Sequence, residues 1–149
     1  MREILFRAKA INRDPDAQYR TDYKNGDWVY GLISSDREYH DTHFTEMTNT
    51  DGVSGIDVDY KTICEYTGLT DKNGTKIFEG DIHENNGKKF ILKYGSFYDS
   101  DRECSCYGWF FEDINNKEWR EGLDGTENSY VNIIGNMHDN PELLERYNQ

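Results

Sequence analysis

The chain has 149 residues, the length of one compact domain. Seventeen Lys and Arg against 29 Asp and Glu leave a net charge of −12, which repels phosphate backbones and argues against ordinary DNA or RNA binding. Leu, Ile, Val and Phe together fall just under a fifth of the residues, yet 11 Tyr, seven Phe and three Trp supply rings of large buried area, so a folded, aromatic-rich domain is expected in place of a disordered chain.

The opening run Arg2-Glu3-Ile4-Leu5-Phe6-Arg7-Ala8 mixes apolar residues with charge and reads as a first strand, with Ile4 and Phe6 on one face. It is too broken for a signal peptide, and no segment approaches the ~20 apolar residues of a membrane span. Three cysteines make no disulfide framework and suit a reducing compartment. A soluble cytoplasmic protein is therefore expected. Asn12 to Gly26 turns polar and reads as a loop or hairpin excursion. Trp28-Val29-Tyr30-Gly31-Leu32-Ile33 follows the turn signal Asn25-Gly26-Asp27 and reads as a strand that pairs with the first. Ser34 to Gly55 has few anchors and reads as exposed turns around at most one short strand near Tyr39 to Phe44.

Alternation returns from Val58 to Thr67, where Ile63 and Glu65 point one way and Cys64 and Tyr66 the other. Asn73-Gly74 supplies a tight turn before Lys76-Ile77-Phe78, and Gly80-Asp81 a sharp bend into Ile82. Asn85-Asn86-Gly87 then reverses the chain into Lys88 to Tyr94, a hairpin. Tyr107 to Glu112 and Tyr130 to Gly135 are two further strands, while Ile114 to Glu121 is ambiguous and allows a helical turn or two. Short strands between turn signals favour a small barrel or sandwich. At the end, Asn140 as cap and Pro141 at the first helical position predict a short helix that docks Leu143, Leu144 or Tyr147.

Four blocks together resemble the YopX family of phage- and prophage-encoded proteins: Ile4 to Ala8; Trp28 to Gly31; Tyr66-Thr67-Gly68-Leu69-Thr70-Asp71-Lys72-Asn73-Gly74 with Lys76 to Ile82; and Ile134-Gly135-Asn136-Met137-His138-Asp139-Asn140-Pro141-Glu142-Leu143-Leu144. The resemblance implies a mainly β fold with a small SH3-like barrel in the second half, beside an N-terminal β segment, and it implies self-association in a bacterial host cell. It implies no catalytic residues. The organisation expected is one domain over residues 1–149, with lobes at 1–60 and 61–149 as the alternative division.

Read from its residues, the block from Tyr66 to Ile82 is first of all architecture, with glycines at bends and Tyr66, Leu69, Ile77, Phe78 and Ile82 facing a core. Its functional reading is a shallow aromatic groove rimmed by Asp71 and Asp81. Tyr66, Leu69, Asp71, Phe78, Asp81 and Trp109 are accordingly the candidate interaction surface. Cys104-Ser105-Cys106 places two sulfurs on one strand face, and His40 and His43 offer imidazoles. Structural zinc sites space their cysteines two to four residues apart, however, so packed or exposed thiols are favoured over a metal. Cys64 reads as a small core residue. The acidic runs Asp51, Asp57, Asp59 and Asp99, Asp101, Glu103 lack the calcium-loop pattern and read as solvated loops. Arg2, Arg7, Lys9, Lys88, Lys89 and Lys93 are the only modest groupings of cations.

No catalytic, cofactor or metal residues are assigned. The favoured function is a non-enzymatic phage accessory protein that self-associates and binds a host or phage protein. An acidic DNA mimic, motivated by the net charge, is the alternative, and a small metal-dependent hydrolase using His83 or His138 a second one.

Overall fold

The computed structural model describes residues 3–12, 23–123 and 129–148. Among them the regular structure is eleven strands and two short 3-10 turns, so the protein is mainly β. Backbone contacts divide the chain into two compact units, Met1–Tyr66 and Thr67–Gln149.

In the first unit β1 (Phe6–Lys9), β2 (Trp28–Tyr39), β3 (Thr42–Asn49) and β4 (Ile56–Val58) form an antiparallel array in the order β4-β3-β2-β1, continued by the start of β5 (Cys64–Thr70). The first strand pairs with the Trp28 strand as expected, with Phe6 opposite Gly31 and Lys9 opposite Trp28. Ala8, Ala10, Val29, Met47, Ile56 and Val58 are the buried core of this unit, with Phe6, Tyr23 and Ile63 packed against it. The small Ala8 and Ala10 pack among the larger Val29, Met47, Ile56 and Val58. Gly31 lies where β2 runs between Phe6 and Asn49. A Cβ there would stand 2.0 Å from the carbonyl oxygen of Thr48, so only bare backbone fits.

Two expectations change here. The stretch read as exposed turns is a long hairpin: β2 runs on to Tyr39, reverses through His40 and Asp41, and returns as β3. His40 and Asp41 adopt φ of 49° and 63°, the paired positive values that match strand twist in a two-residue turn. Ser34, Asp36, Arg37 and Glu38 are exposed along this arm, so the pairing carries no apolar alternation to read. Of the segment from Asn12 to Gly26, residues 13–22 lie outside the described residues; its ends are tied by the Gly26 N–H donating to the Ala10 carbonyl and the Ala10 N–H donating to that of Asp27.

In the second unit β6 (Lys76–Phe78) lies beside β5, and β7 (Asp81–Asn85), β8 (Lys88–Asp99), β9 (Cys104–Asp113), β10 (Asn116–Gly122) and β11 (Ile133–Asn136) form a five-stranded antiparallel sheet in the order β10-β9-β8-β7-β11. The hairpin expected at Asn86-Gly87 joins β7 to β8. This sheet is open, because β10 and β11 are its two edges with three strands between them, and the described residues close no barrel. The ambiguous run Ile114 to Glu121 is strand: β10 pairs with β9 through a bulge between Asn116 and Arg120, and such a bulge breaks the period-two pattern that identifies strands.

One face of the sheet carries Phe90, Leu92, Trp109 and Phe111, clustered with Ile77, Leu123 and Val131. The other carries Ile82, Ile91 and Ile114, covered by Leu144. Leu144 belongs to a 3-10 turn, Pro141–Leu144, which stands where a terminal helix was expected. The Asn140 side chain does not cap this turn. Its Oδ1 accepts the Asn136 N–H and its amide donates to Glu142, so the group that would start a helix is spent on the preceding turn. Leu143, Leu144 and Tyr147 dock on the sheet all the same.

Candidate functional site

The six residues singled out from the sequence are core or turn residues. Tyr66 and Phe78 are buried, Leu69 is half-buried, and Trp109 is 9 % exposed. Leu69 and Trp109 share the cluster around Phe90 and Phe111. Asp71 and Asp81 point inward, away from any groove rim. Asp71 Oδ1 accepts the N–H groups of Asn73 and Thr75, and its Oδ2 accepts that of Ile133 at 3.0 Å. Asp81 Oδ2 accepts the Phe78 N–H at 2.8 Å. A short acidic side chain suits such turns because it reaches its own backbone two residues on. The acidic loops behave likewise. Asp59 accepts the Lys61 N–H, and Asp99 accepts those of Asp101, Arg102 and Gly122. Burial alone would raise the Asp99 pKa, but these three donors outweigh it and hold it below the ordinary value.

Three of the exposed aromatic side chains lie on the β8–β9 hairpin. Phe90 to Leu92 and Trp109 to Asp113 are buried on both faces; from Tyr94 outward, across the facing Gly95 and Gly108, one face opens to solvent. These two glycines have φ of 146° and 145°, values that disfavour any side chain bearing a Cβ. Phe97 and Phe110, diagonal across them, stack at 4.6 Å and cover the gap on one side. On the other side Tyr94, opposite Trp109, and Tyr107, opposite Ser96, meet in edge contacts: Tyr94 lies 4.8 Å from Trp109 and 5.5 Å from Tyr107. Tyr98 follows by alternation on the same face. Tyr107 is 74 % exposed, Tyr94 and Tyr98 52 % each. The buried Nε1–H of Trp109, the ring against Tyr94, has no acceptor among the described residues, an arrangement that costs about 1–3 kcal/mol. The signal for this patch is present in the alternating Tyr94, Ser96, Tyr98 and Tyr107, Trp109, Phe111, but nothing local distinguishes the rings that are covered from those that stay bare.

The opposite face holds a charged network. Glu112, 2 % exposed, accepts from Arg120 Nε at 3.0 Å and from the Tyr147 hydroxyl at 2.8 Å, with Lys93 Nζ 3.8 Å away. Lys93 Nζ also donates to the Tyr147 oxygen at 2.8 Å. Burial, more than its neighbours, raises the Tyr147 pKa, so the phenol stays a donor. Arg7 and Lys9 in the first unit flank the Trp28 ring at 4.6 and 5.2 Å, a cation–π use of cations in an acidic chain. Cys104 and Cys106 are thiols on the outer end of β9, and Cys64 is buried.

Neither candidate histidine of the hydrolase reading lies among a group of metal-ligating side chains; no set of three or more His, Cys, Asp or Glu is so placed among the described residues. His138 lies in the turn after β11, its N–H donating to Asn136 Oδ1. His40 lies at a hairpin tip against Tyr39, and His43 contacts Asp36 and stacks on Tyr60 at 3.9 Å. His83 on β7 is 2 % exposed, with Phe90, Phe111 and Tyr130 rings around it at 5.6, 4.9 and 5.7 Å. Its Nδ1 accepts the Asn132 N–H at 2.8 Å. Burial is the largest influence on its pKa and lowers it, so the ring is a neutral core residue. In the unfolded chain it titrates near its ordinary value of about 6.5. Below that pH the unfolded state takes up a proton the folded state refuses, and stability falls as pH drops from about 6.5 toward the lower folded value. Thermal unfolding across this window should show the loss, and His83→Phe should flatten it while costing about 1–2 kcal/mol at pH 8 through the orphaned Asn132 N–H.

Two antiparallel sheets with buried turn-capping carboxylates and one bare aromatic hairpin face define a mainly β protein, and no helix among the described residues is long and apolar enough to cross a membrane. The family model described as YopX protein matches residues 18–145, most of the chain, and the chain belongs to the YopX family. No curated protein matches the sequence.

Proposed function

We propose that this protein is a non-enzymatic accessory protein of phage or prophage origin, acting in the bacterial cytoplasm, that self-associates and binds another protein through the aromatic face of β8–β9. One observation carries the reading: Tyr94, Tyr98 and Tyr107 stand exposed on one face of the β8–β9 strand pair. Tyrosine offers large contact area with little rotamer entropy to lose. Buried carboxylates at Asp71, Asp81, Asp99, Glu112 and Asp113 serve the interior, which weakens a DNA-mimic reading. The family resemblance and the five antiparallel strands of the second unit support an SH3-like arrangement there.

Light scattering and sedimentation over a concentration series test association. The wild-type chain should form an oligomer, and Tyr94→Ser with Tyr107→Ser should weaken it by about 2 kcal/mol, or about thirtyfold in Kd, with the circular dichroism unchanged. A wild-type chain that stays monomeric at high concentration, or a double variant that associates as well as wild type, defeats the reading.

A further inference from the structure

The outer end of β9 carries a feature this function does not use. Cys104 is exposed and Cys106 half-buried, and alternation places both on the face that also bears Phe97 and Asp99 of β8. Their sulfurs stand 3.5 Å apart, near the separation from which a crosslink closes. Two residues of strand span about 6.6 Å between Cα atoms, at the long end of the 4.4–6.8 Å that a disulfide bridges. Closure therefore needs β9 to shorten locally. The strand can do this, because β10 pairs with β9 only from Phe110 to Asp113, and β8 is the neighbour that holds Cys104 to Cys106. A stretched crosslink of this kind is readily reduced again.

We propose that Cys104 and Cys106 form a thiol–disulfide exchange site that takes small-molecule disulfides as its oxidant. The exposed Cys104 thiolate attacks one sulfur of the incoming disulfide, forming a mixed disulfide and expelling one thiolate. Cys106 then loses its proton and attacks the Cys104 sulfur, forming the intramolecular bond and expelling the second thiolate, which takes up the proton. Two protein thiols are oxidised and one small disulfide is reduced to two thiols. The hydrogen bond with Cys104, together with burial, raises the Cys106 pKa, in keeping with its role as second attacker. Cys64 takes no part, since it is buried with its thiol donating to the Thr62 carbonyl at 3.3 Å.

The test uses the reduced full-length chain and oxidised glutathione, followed by alkylation and peptide mass analysis. The expected product has lost two hydrogens, carries a Cys104–Cys106 crosslinked peptide, and reverts with dithiothreitol. Cys106→Ser should stop at a glutathione adduct on Cys104, and Cys104→Ser should form its adduct at Cys106 about tenfold more slowly. Circular dichroism establishes that both variants fold. Thiols that stay reduced, separate adducts on both cysteines without ring closure, chain-to-chain disulfides, or zinc retained by the reduced chain so that both thiols resist alkylation would each overturn the assignment.

Discussion

Gly31→Ala is expected to be the most disruptive single methyl that can be added to the first unit. The new carbon would meet the Thr48 carbonyl oxygen at 2.0 Å and Asn49 Cα at 2.8 Å, both backbone atoms of a strand paired on its other side with β4. No rotamer change relieves such a contact; β2 and β3 must separate, and the core residues Val29 and Met47 lose their packing with them. Overpacking in a core costs about 1–3 kcal/mol where side chains can give way, and here the loss should exceed about 3 kcal/mol. Urea unfolding reads it directly. Gly52→Ala is the matched control: its φ is 85° with open space around it, so it should cost only the backbone strain, about 1 kcal/mol. Similar midpoints for the two variants would show that β2 and β3 can part without penalty.

Asp71→Ala should rank beside it in the second unit. Three backbone N–H groups, those of the exposed Asn73 and Thr75 and the half-buried Ile133, lose their buried acceptor at once. Hydrogen bonds to a charged group contribute about 1.5–3 kcal/mol each, and because water can take over the exposed Asn73 and Thr75 N–H groups while Ile133 is half-buried, a net loss of about 2–4 kcal/mol is expected. Asp71→Asn keeps an oxygen for Asn73 and Thr75 but can turn an amide toward the Ile133 N–H, and should lose about half as much. Calorimetry on both variants gives the ranking. If Asp71 served instead at the rim of a ligand groove, both substitutions would leave the melting temperature in place and change only partner binding.

The turns were the most legible part of this chain. Asn73-Gly74 and Asn86-Gly87 announce themselves because the backbone angles they need are a local property, and Phe6 pairing with Gly31 follows from two apolar runs separated by a turn signal. The β2–β3 arm was hidden because Ser34, Asp36, Arg37 and Glu38 are wetted, and hydrogen-bonded pairing leaves no mark on composition when little on either face is buried. The terminal helix failed for a different reason: Asn140 has the right chemistry to cap, but Asn136 lies within its reach and claims it first. For the candidate site, residue type was a poor guide to exposure. Asp71 and Asp81 are acidic and buried, whereas Tyr94, Tyr98 and Tyr107 are aromatic and bare, because coverage is decided by elements distant in sequence.

The Glu112 network bears on how the polypeptide comes off the ribosome. Tyr147 follows its carboxylate partner by 35 positions, and Leu144, which shields Ile82 and Ile91, arrives almost as late. A nascent second unit therefore presents a wet aliphatic face, and a Glu112 held by Arg120 but lacking its phenol donor, until this tail emerges. An aliphatic face left open in this way favours aggregation, and the tail works as a buckle that closes it.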